Sequence, residues 1–178
     1  MIIKVKFNDR LLKFYLQRHC YFSAFYQVFI EKSYPNLMTK ITKGDTVIDA
    51  GANIGIFTVI SAVQVGDIGT VLAIEPEPEN INILKKNIEL NNLKNVEIVT
   101  KALYKESGKK LKFYPNGVRL KITADDINVN SAEIEVDTIT FDDLISQTGI
   151  TPNILKMDIE GAEVCKGKDQ KDIRRQML

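Results

Sequence analysis

Apolar and polar positions alternate over residues 3–7, where Ile3, Val5 and Phe7 share one face and Lys4 and Lys6 the other. That is the period of a half-buried strand. Asn8-Asp9 is turn chemistry, and Leu12, Phe14 and Leu16 resume the alternation, which predicts a β-hairpin. Over residues 23–32 the spacing becomes helical, with Ser23 as a cap and Phe25, Val28 and Phe29 on one face. From residue 45 short apolar strands alternate with helices. Strands are expected at Thr46–Ala50, Thr70–Ile74 and Val96–Val99, and helices at Ile54–Val65 and Glu79–Asn91, the second with Ile81, Leu84, Ile88 and, at its end, Asn91 in line. Such alternation predicts a parallel sheet with right-handed crossovers. Leu111 and Phe113, then Ile134 and Val136, predict antiparallel strands around a polar loop. Phe141–Thr148 reads as a short helix capped by Thr140 or the acids after it, and Ile154–Met157 as a fourth buried strand ending in acids.

Composition narrows the class. The 178 residues are 44% hydrophobic and 26% charged, which suits one globular domain and excludes a disordered chain. With 24 basic and 23 acidic side chains, charge gives no case for a dedicated nucleic-acid or anionic-membrane binder. Cys20 and Cys165 are too few for a disulfide scaffold or a zinc site, and one histidine, His19, excludes paired-histidine chemistry; no metal site is expected. No apolar run reaches the ~20 residues of a membrane span, and Met1–Lys6 lacks a signal-peptide core, so the expectation is a cytoplasmic protein.

The stretch Val47-Ile48-Asp49-Ala50-Gly51-Ala52-Asn53-Ile54-Gly55 joins the first parallel strand to its helix. Its glycines permit positive φ and close approach of a ligand, and a helix start offers free N–H groups. Glu75, twenty residues after Gly55, ends the next strand, where a carboxylate can accept hydrogen bonds from both ribose hydroxyls of a nucleoside. The loop reads G-x-N-x-G, neither a dinucleotide fingerprint nor a Walker loop. An acid before the glycines would repel a pyrophosphate and suits a cationic cofactor. S-adenosylmethionine, with an ammonium, a sulfonium and no phosphate, fits these residues.

Four motifs in order, V-I-D-A-G-A-N-I-G-I-F-T at 47–58, A-I-E-P-E-P-E-N at 73–80, V-D-T-I-T-F-D-D-L at 136–144 and L-K-M-D-I-E-G-A-E at 155–163, resemble the FkbM family of S-adenosylmethionine-dependent methyltransferases. The resemblance spans roughly residues 25–165. It implies an α/β fold, a doubly wound Rossmann-like sheet, with an N-terminal β-hairpin/helix extension over 1–40 and the cofactor-binding domain over 41–178. By the same resemblance Asp49, Gly51, Asn53 and Gly55 line the methionine end of the cofactor and Glu75 holds its ribose. Ala102 and Leu103 border the adenine, while Asp158 and Glu160 face the substrate, with Asp158 as general base. The implied reaction is methylation of a hydroxyl oxygen on a small molecule or a sugar. Such a sheet has seven strands, whereas after Glu163 this chain turns charged as V-C-K-G-K-D-Q-K-D-I-R-R-Q-M-L. The expectation is therefore a sheet incomplete at the C-terminus, truncated after the fourth core strand, whose exposed edge a second copy of the chain could cover.

Rival readings stay open. Asp49, Glu75, Asp158 and Glu160 would also serve as helix-capping acids, and Asn53 as a residue tolerant of positive φ. The aromatic group Tyr15, Tyr21, Phe22, Phe25, Tyr26 and Phe29 reads first as a packing face, and Lys85 and Lys86 as solvated charges. A transfer RNA methyltransferase shares the glycine loop, but the balanced charge and the lack of an N-P-P-aromatic motif after the fourth strand oppose it. A non-catalytic cofactor-binding remnant and a metal-dependent O-methyltransferase are the remaining rivals.

Overall fold

The computed structural model describes residues 1–17, 25–26, 28–29, 38–113 and 134–159. The chain opens with antiparallel strands β1 (Ile2–Phe7) and β2 (Arg10–Tyr15), registered so that Val5 faces Leu12 and Ile3 faces Phe14. Asn8 takes φ 50° in the connecting turn, as its side chain tolerates. Phe25, Tyr26, Val28 and Phe29 are helical, as expected; the Ser23 cap lies outside the described residues. Phe14 meets the rings of Phe25 and Phe29 edge-on at 5.9 and 5.6 Å, so these aromatics form a packing face.

Four parallel strands form the central sheet: β3 (Thr46–Ala50), β4 (Thr70–Ile74), β5 (Val96–Val99) and β9 (Ile154–Met157), in the order β5-β4-β3-β9. The interiors of β3, β4 and β9 are largely apolar runs because both faces are covered, whereas β5 exposes Glu97. Helix α1 (Ile56–Val65) buries Phe57, Ala62 and Val65 against Val47, Val71 and Ile154 on one face. On the other face Ile48, Ala50, Leu72, Ile74 and Leu155 pack with Leu103, Ile139 and Leu144. Those last three come from β6 (Ala102–Leu103), β8 (Ile134–Ile139) and α3 (Phe141–Thr148). Strand β8 lies parallel to β6 and antiparallel to β7 (Lys110–Phe113), with Leu111 opposite Val136 and Phe113 opposite Ile134. Thr140 caps α3 by accepting from Asp143 N–H at 3.1 Å.

Helix α1 starts two residues later than the hydrophobic spacing indicates, because Gly55 takes a left-handed conformation (φ 82°) as its N-cap. Helix α2 (Pro78–Leu90) starts on Pro78, whose fixed φ suits a first helical position, and carries Glu79 in its first turn. It buries Asn80, Ile81, Ile83, Leu84 and Asn87, a wider stripe than Ile81, Leu84 and Ile88 mark out. The extra contact is the hairpin. Leu12, Phe14 and Leu16 form one core with Ile54, Ile56, Val59, Ile60 and Ile83, so the N-terminal extension is packed into the sheet domain.

Strand order runs outward from β3 through β4 to β5 and then returns to the other side of β3 with β9. That reversal is a topological switch point at the carboxyl ends of β3 and β9, where doubly wound sheets bind ligands. Among the described residues β9 pairs with β3 alone.

Candidate functional site

At the carboxyl end of β3 the chain turns through Gly51 (φ 76°), Asn53 (φ 52°) and Gly55 (φ 82°). Both glycines take a positive φ, and at Gly51 packing against backbone makes the same demand. A Cβ on Gly51 would stand 2.0 Å from the carbonyl oxygen of Asp158, and one on Gly55 would stand 2.2 Å from Leu84 Cδ1. The first contact is with backbone, so the end of β9 lies directly against the loop. Asp158 N–H donates to Ala50 O at 3.0 Å, extending the β3–β9 pairing past Met157.

Five successive amides of this loop are bonded inside the protein. Gly51 and Ala52 N–H both donate to Ile74 O at 3.0 Å, and Asn53 N–H donates to Glu75 Oε2 at 2.8 Å. Ile54 N–H donates to Asn53 Oδ1 at 2.7 Å, and Gly55 N–H to Ala52 O at 2.9 Å. Residues 51–55 therefore present no free amide, and the first-turn amides of α1 begin at Ile56.

Glu75 ends β4 beside that loop and is 3% exposed. Besides Asn53, its carboxylate accepts from Glu77 N–H at 2.9 Å and from Asn80 Nδ2 at 3.4 Å, both on Oε1. Oε2 has the Asn53 bond alone, and a carboxylate oxygen has two acceptor positions. Burial pushes the Glu75 pKa up from 4.5 to about 7, against the lowering effect of the Glu77, Asn53 and Asn80 hydrogen bonds. A buried carboxylate in that state gains from any further neutral donor placed against it.

Asp49 is fully buried, and its carboxylate is already engaged. Oδ2 accepts from Thr58 Oγ1 at 2.6 Å, and Oδ1 lies 3.0 Å from Lys156 Nζ in a charge contact, the lysine's aligned hydrogen bond going to Gly51 O at 2.8 Å. Asp49 and Lys156 are register partners on adjacent parallel strands, which puts their side chains on one face. The negative charge that the sequence places before the glycines thus has its own buried cation.

The loop is gripped from three elements: Lys156 on β9 holds Gly51 O, Glu75 holds Asn53 N–H, and Asn87 on α2 donates to Ile54 O at 2.8 Å. Lys156, Thr58 and Asn87 escaped the sequence reading. The signal for Lys156 was a lone charge inside the apolar run Ile154-Leu155-Lys156-Met157, a residue that must find a buried partner. Asn87 sits one turn from Asn91 in an otherwise ordinary helix, and nothing local marks it.

The remaining expected site residues fall in two places. Asp158 is exposed at the end of β9, with its carbonyl oxygen against Gly51, whereas Glu160 lies outside the described residues. Ala102 and Leu103 are buried in β6, opposite Thr138 and Ile139 of β8, with Leu103 in the same core as Ile74. Among the described residues there is no group of three His, Cys, Asp or Glu side chains able to hold a metal ion, and no helix long and apolar enough to cross a membrane.

Methyltransferase 1 of Beauveria bassiana is 28% identical over 165 residues, covering 80% of this chain and 65% of that protein. The 31-O-demethyl-FK506 methyltransferase FkbM of Streptomyces tacrolimicus is 26% identical over 167 residues, covering 77% of this chain and 64% of the relative. The chain thus spans just under two thirds of the length of both relatives. Among solved structures, a SAM-dependent methyltransferase from Aquifex aeolicus overlaps 47% of this chain and 42% of its own, at 26% identity and a TM-score of 0.37. The model of the methyltransferase FkbM domain matches residues 49–177, from Asp49 through every motif that follows it, and the chain belongs to that family.

Proposed function

We propose that the chain binds S-adenosylmethionine at the carboxyl ends of β3 and β4 and transfers its methyl group to a hydroxyl oxygen of a small molecule or a sugar. The carrying observation is the occupied loop. With every amide from Gly51 to Gly55 bonded internally, the site suits a nucleoside cofactor without phosphates, and the buried Glu75 carboxylate beside it supplies the acceptor that a ribose requires.

When bound, S-adenosylmethionine supplies an electrophilic methyl group on a sulfonium. The protein's part is to hold and orient. Glu75 takes the ribose hydroxyls, Ala102 and Leu103 border the adenine, and the Gly51–Gly55 loop borders the methionine end. Asp49 works there through its backbone and as the counter-ion of Lys156, its carboxylate being committed to Lys156 and Thr58. Asp158, exposed beside Gly51, accepts the proton of an alcohol in this reading, and Glu160, outside the described residues, is its expected companion acid. Most of the acceleration of such a transfer comes from alignment of the reacting atoms.

The test is transfer of labelled methyl from S-adenosylmethionine to a panel of sugars and hydroxylated small molecules, with Asp158→Asn alongside. The reading expects O-methylated product, and in the variant a fall in kcat with the KM for S-adenosylmethionine held. Cofactor binding without turnover on any hydroxyl acceptor would favour a non-catalytic remnant, and methylation of RNA would favour the transfer RNA reading.

A further inference from the structure

We infer that Asn87 is a positioning residue through which the N-terminal hairpin sets the conformation of the glycine loop. The inference rests on the reading of that loop as the cofactor site. Hairpin strand β2 would have an open edge, yet its outward backbone groups are bonded by two helix side chains. Tyr15 N–H donates to Asn87 Oδ1 at 2.6 Å, and Asn87 Nδ2 returns a 3.4 Å bond to Tyr15 O. Lys13 N–H donates to Asn91 Oδ1 at 2.9 Å, and Asn91 Nδ2 donates to Lys13 O at 2.7 Å. Two carboxamides therefore stand in for a third strand. The spacings match: two residues of a strand rise about 6.7 Å and four residues of a helix about 6 Å.

The two asparagines differ in what else they touch. Asn91 Nδ2 turns to Asn87 O at 2.8 Å, inside its own helix. Asn87 Nδ2 instead donates 2.8 Å to Ile54 O, between Asn53 and the Gly55 N-cap of α1. Asn87 is fully buried, so these bonds have no water to replace them. One carboxamide thus fixes the hairpin edge and the loop carbonyl together, whereas its neighbour fixes the hairpin edge alone. Exposed Lys86, with its ammonium 3.6 Å above the Tyr15 ring, adds a further tie at the hairpin end of this link.

The pair supplies a matched control. Asn87→Ala and Asn91→Ala each remove hairpin bonds, and both should lower Tm. Only Asn87→Ala should speed hydrogen exchange of the backbone amides of residues 51–56, and only it should weaken S-adenosylhomocysteine binding, by about fivefold for one lost hydrogen bond. Asn87→Asp keeps an acceptor for Tyr15 N–H but has no donor for Ile54 O, so it should reproduce the loop effect if the alanine variant does not fold. Asn91→Ala should stay within about twofold of the parent in both loop exchange and affinity, since Asn91 makes no bond to the loop. Loop exchange equal in the Asn87 and Asn91 variants would overturn the inference, whatever the affinity. A parent that fails to bind S-adenosylhomocysteine while the Asn87 variants still show faster loop exchange would refute the cofactor reading and leave the coupling standing.

Discussion

Replacing Glu75 by glutamine removes one ionisable carboxyl from beside the glycine loop, and the pH dependence of stability should change by an amount the structure sets. Burial raises the folded-state pKa from 4.5 to about 7. The folded chain therefore keeps a proton that the unfolded chain releases, and stability falls as pH rises through the window from 4.5 to about 7, levelling above it. At 1.36 kcal/mol per pKa unit, the loss attributable to Glu75 between pH 5 and pH 8 is about 2.5 kcal/mol. The Glu75→Gln side chain has one carbonyl oxygen where the carboxylate had two acceptors for Asn53 and Glu77 N–H, so the variant carries a fixed offset. Only the slope is diagnostic. Urea unfolding followed by circular dichroism at pH 5, 6, 7 and 8 should give a parent curve that declines relative to Glu75→Gln. Ribose hydroxyls donating to the carboxylate favour its charged form, so S-adenosylhomocysteine affinity of the parent should also climb toward pH 7 and bind with proton release. Parallel stability curves for the two proteins would refute the raised Glu75 pKa and the burial that causes it.

Gly51→Ala should lower stability by about 2–4 kcal/mol, read as a drop in Tm, because its Cβ would stand 2.0 Å from Asp158 O at a φ of 76°. Lys156→Met should cost about 3–5 kcal/mol by leaving the buried Asp49 carboxyl without its partner, and Asp49→Asn in the same chain should recover part of that loss in chemical denaturation. Thr140→Ala removes the hydroxyl that accepts from Asp143 N–H and should cost about 1 kcal/mol in the same assay.

The elements were legible wherever one periodicity ruled. The β1–β2 alternation, the apolar runs of β3, β4, β5 and β9, and Phe141–Thr148 with its Thr140 cap all stand where hydrophobic spacing and capping chemistry put them. Asp49, Gly51 and Glu75 were legible as neighbours at the strand ends, and the structure brings them together through Lys156, which contacts Asp49 and Gly51 O, and through Glu75, which accepts from Asn53 N–H. Those individual contacts were not legible. Whether Asp49 faces a ligand or a buried lysine depends on β9, more than a hundred residues along the chain, lying in register beside β3, and no local pattern encodes that register. The same holds for Asn87, whose value lies in contacting two segments at once, 33 and 72 residues away. Gly51 and Gly55 illustrate a different limit: sequence identifies a place where only glycine fits, but packing against Asp158 O and Leu84 makes the same demand as a ligand would.

Binding of an S-adenosyl cofactor beside Glu75 is read out by calorimetric titration of the 178-residue chain with S-adenosylhomocysteine, with Glu75→Ala as control. The parent should bind saturably at one site, and a Glu75→Ala variant that circular dichroism shows to be folded should not bind. A folded parent that gives no binding heat at any temperature of titration and no rise in Tm with ligand, or a Glu75→Ala chain that binds as tightly as the parent, would contradict cofactor binding at Glu75.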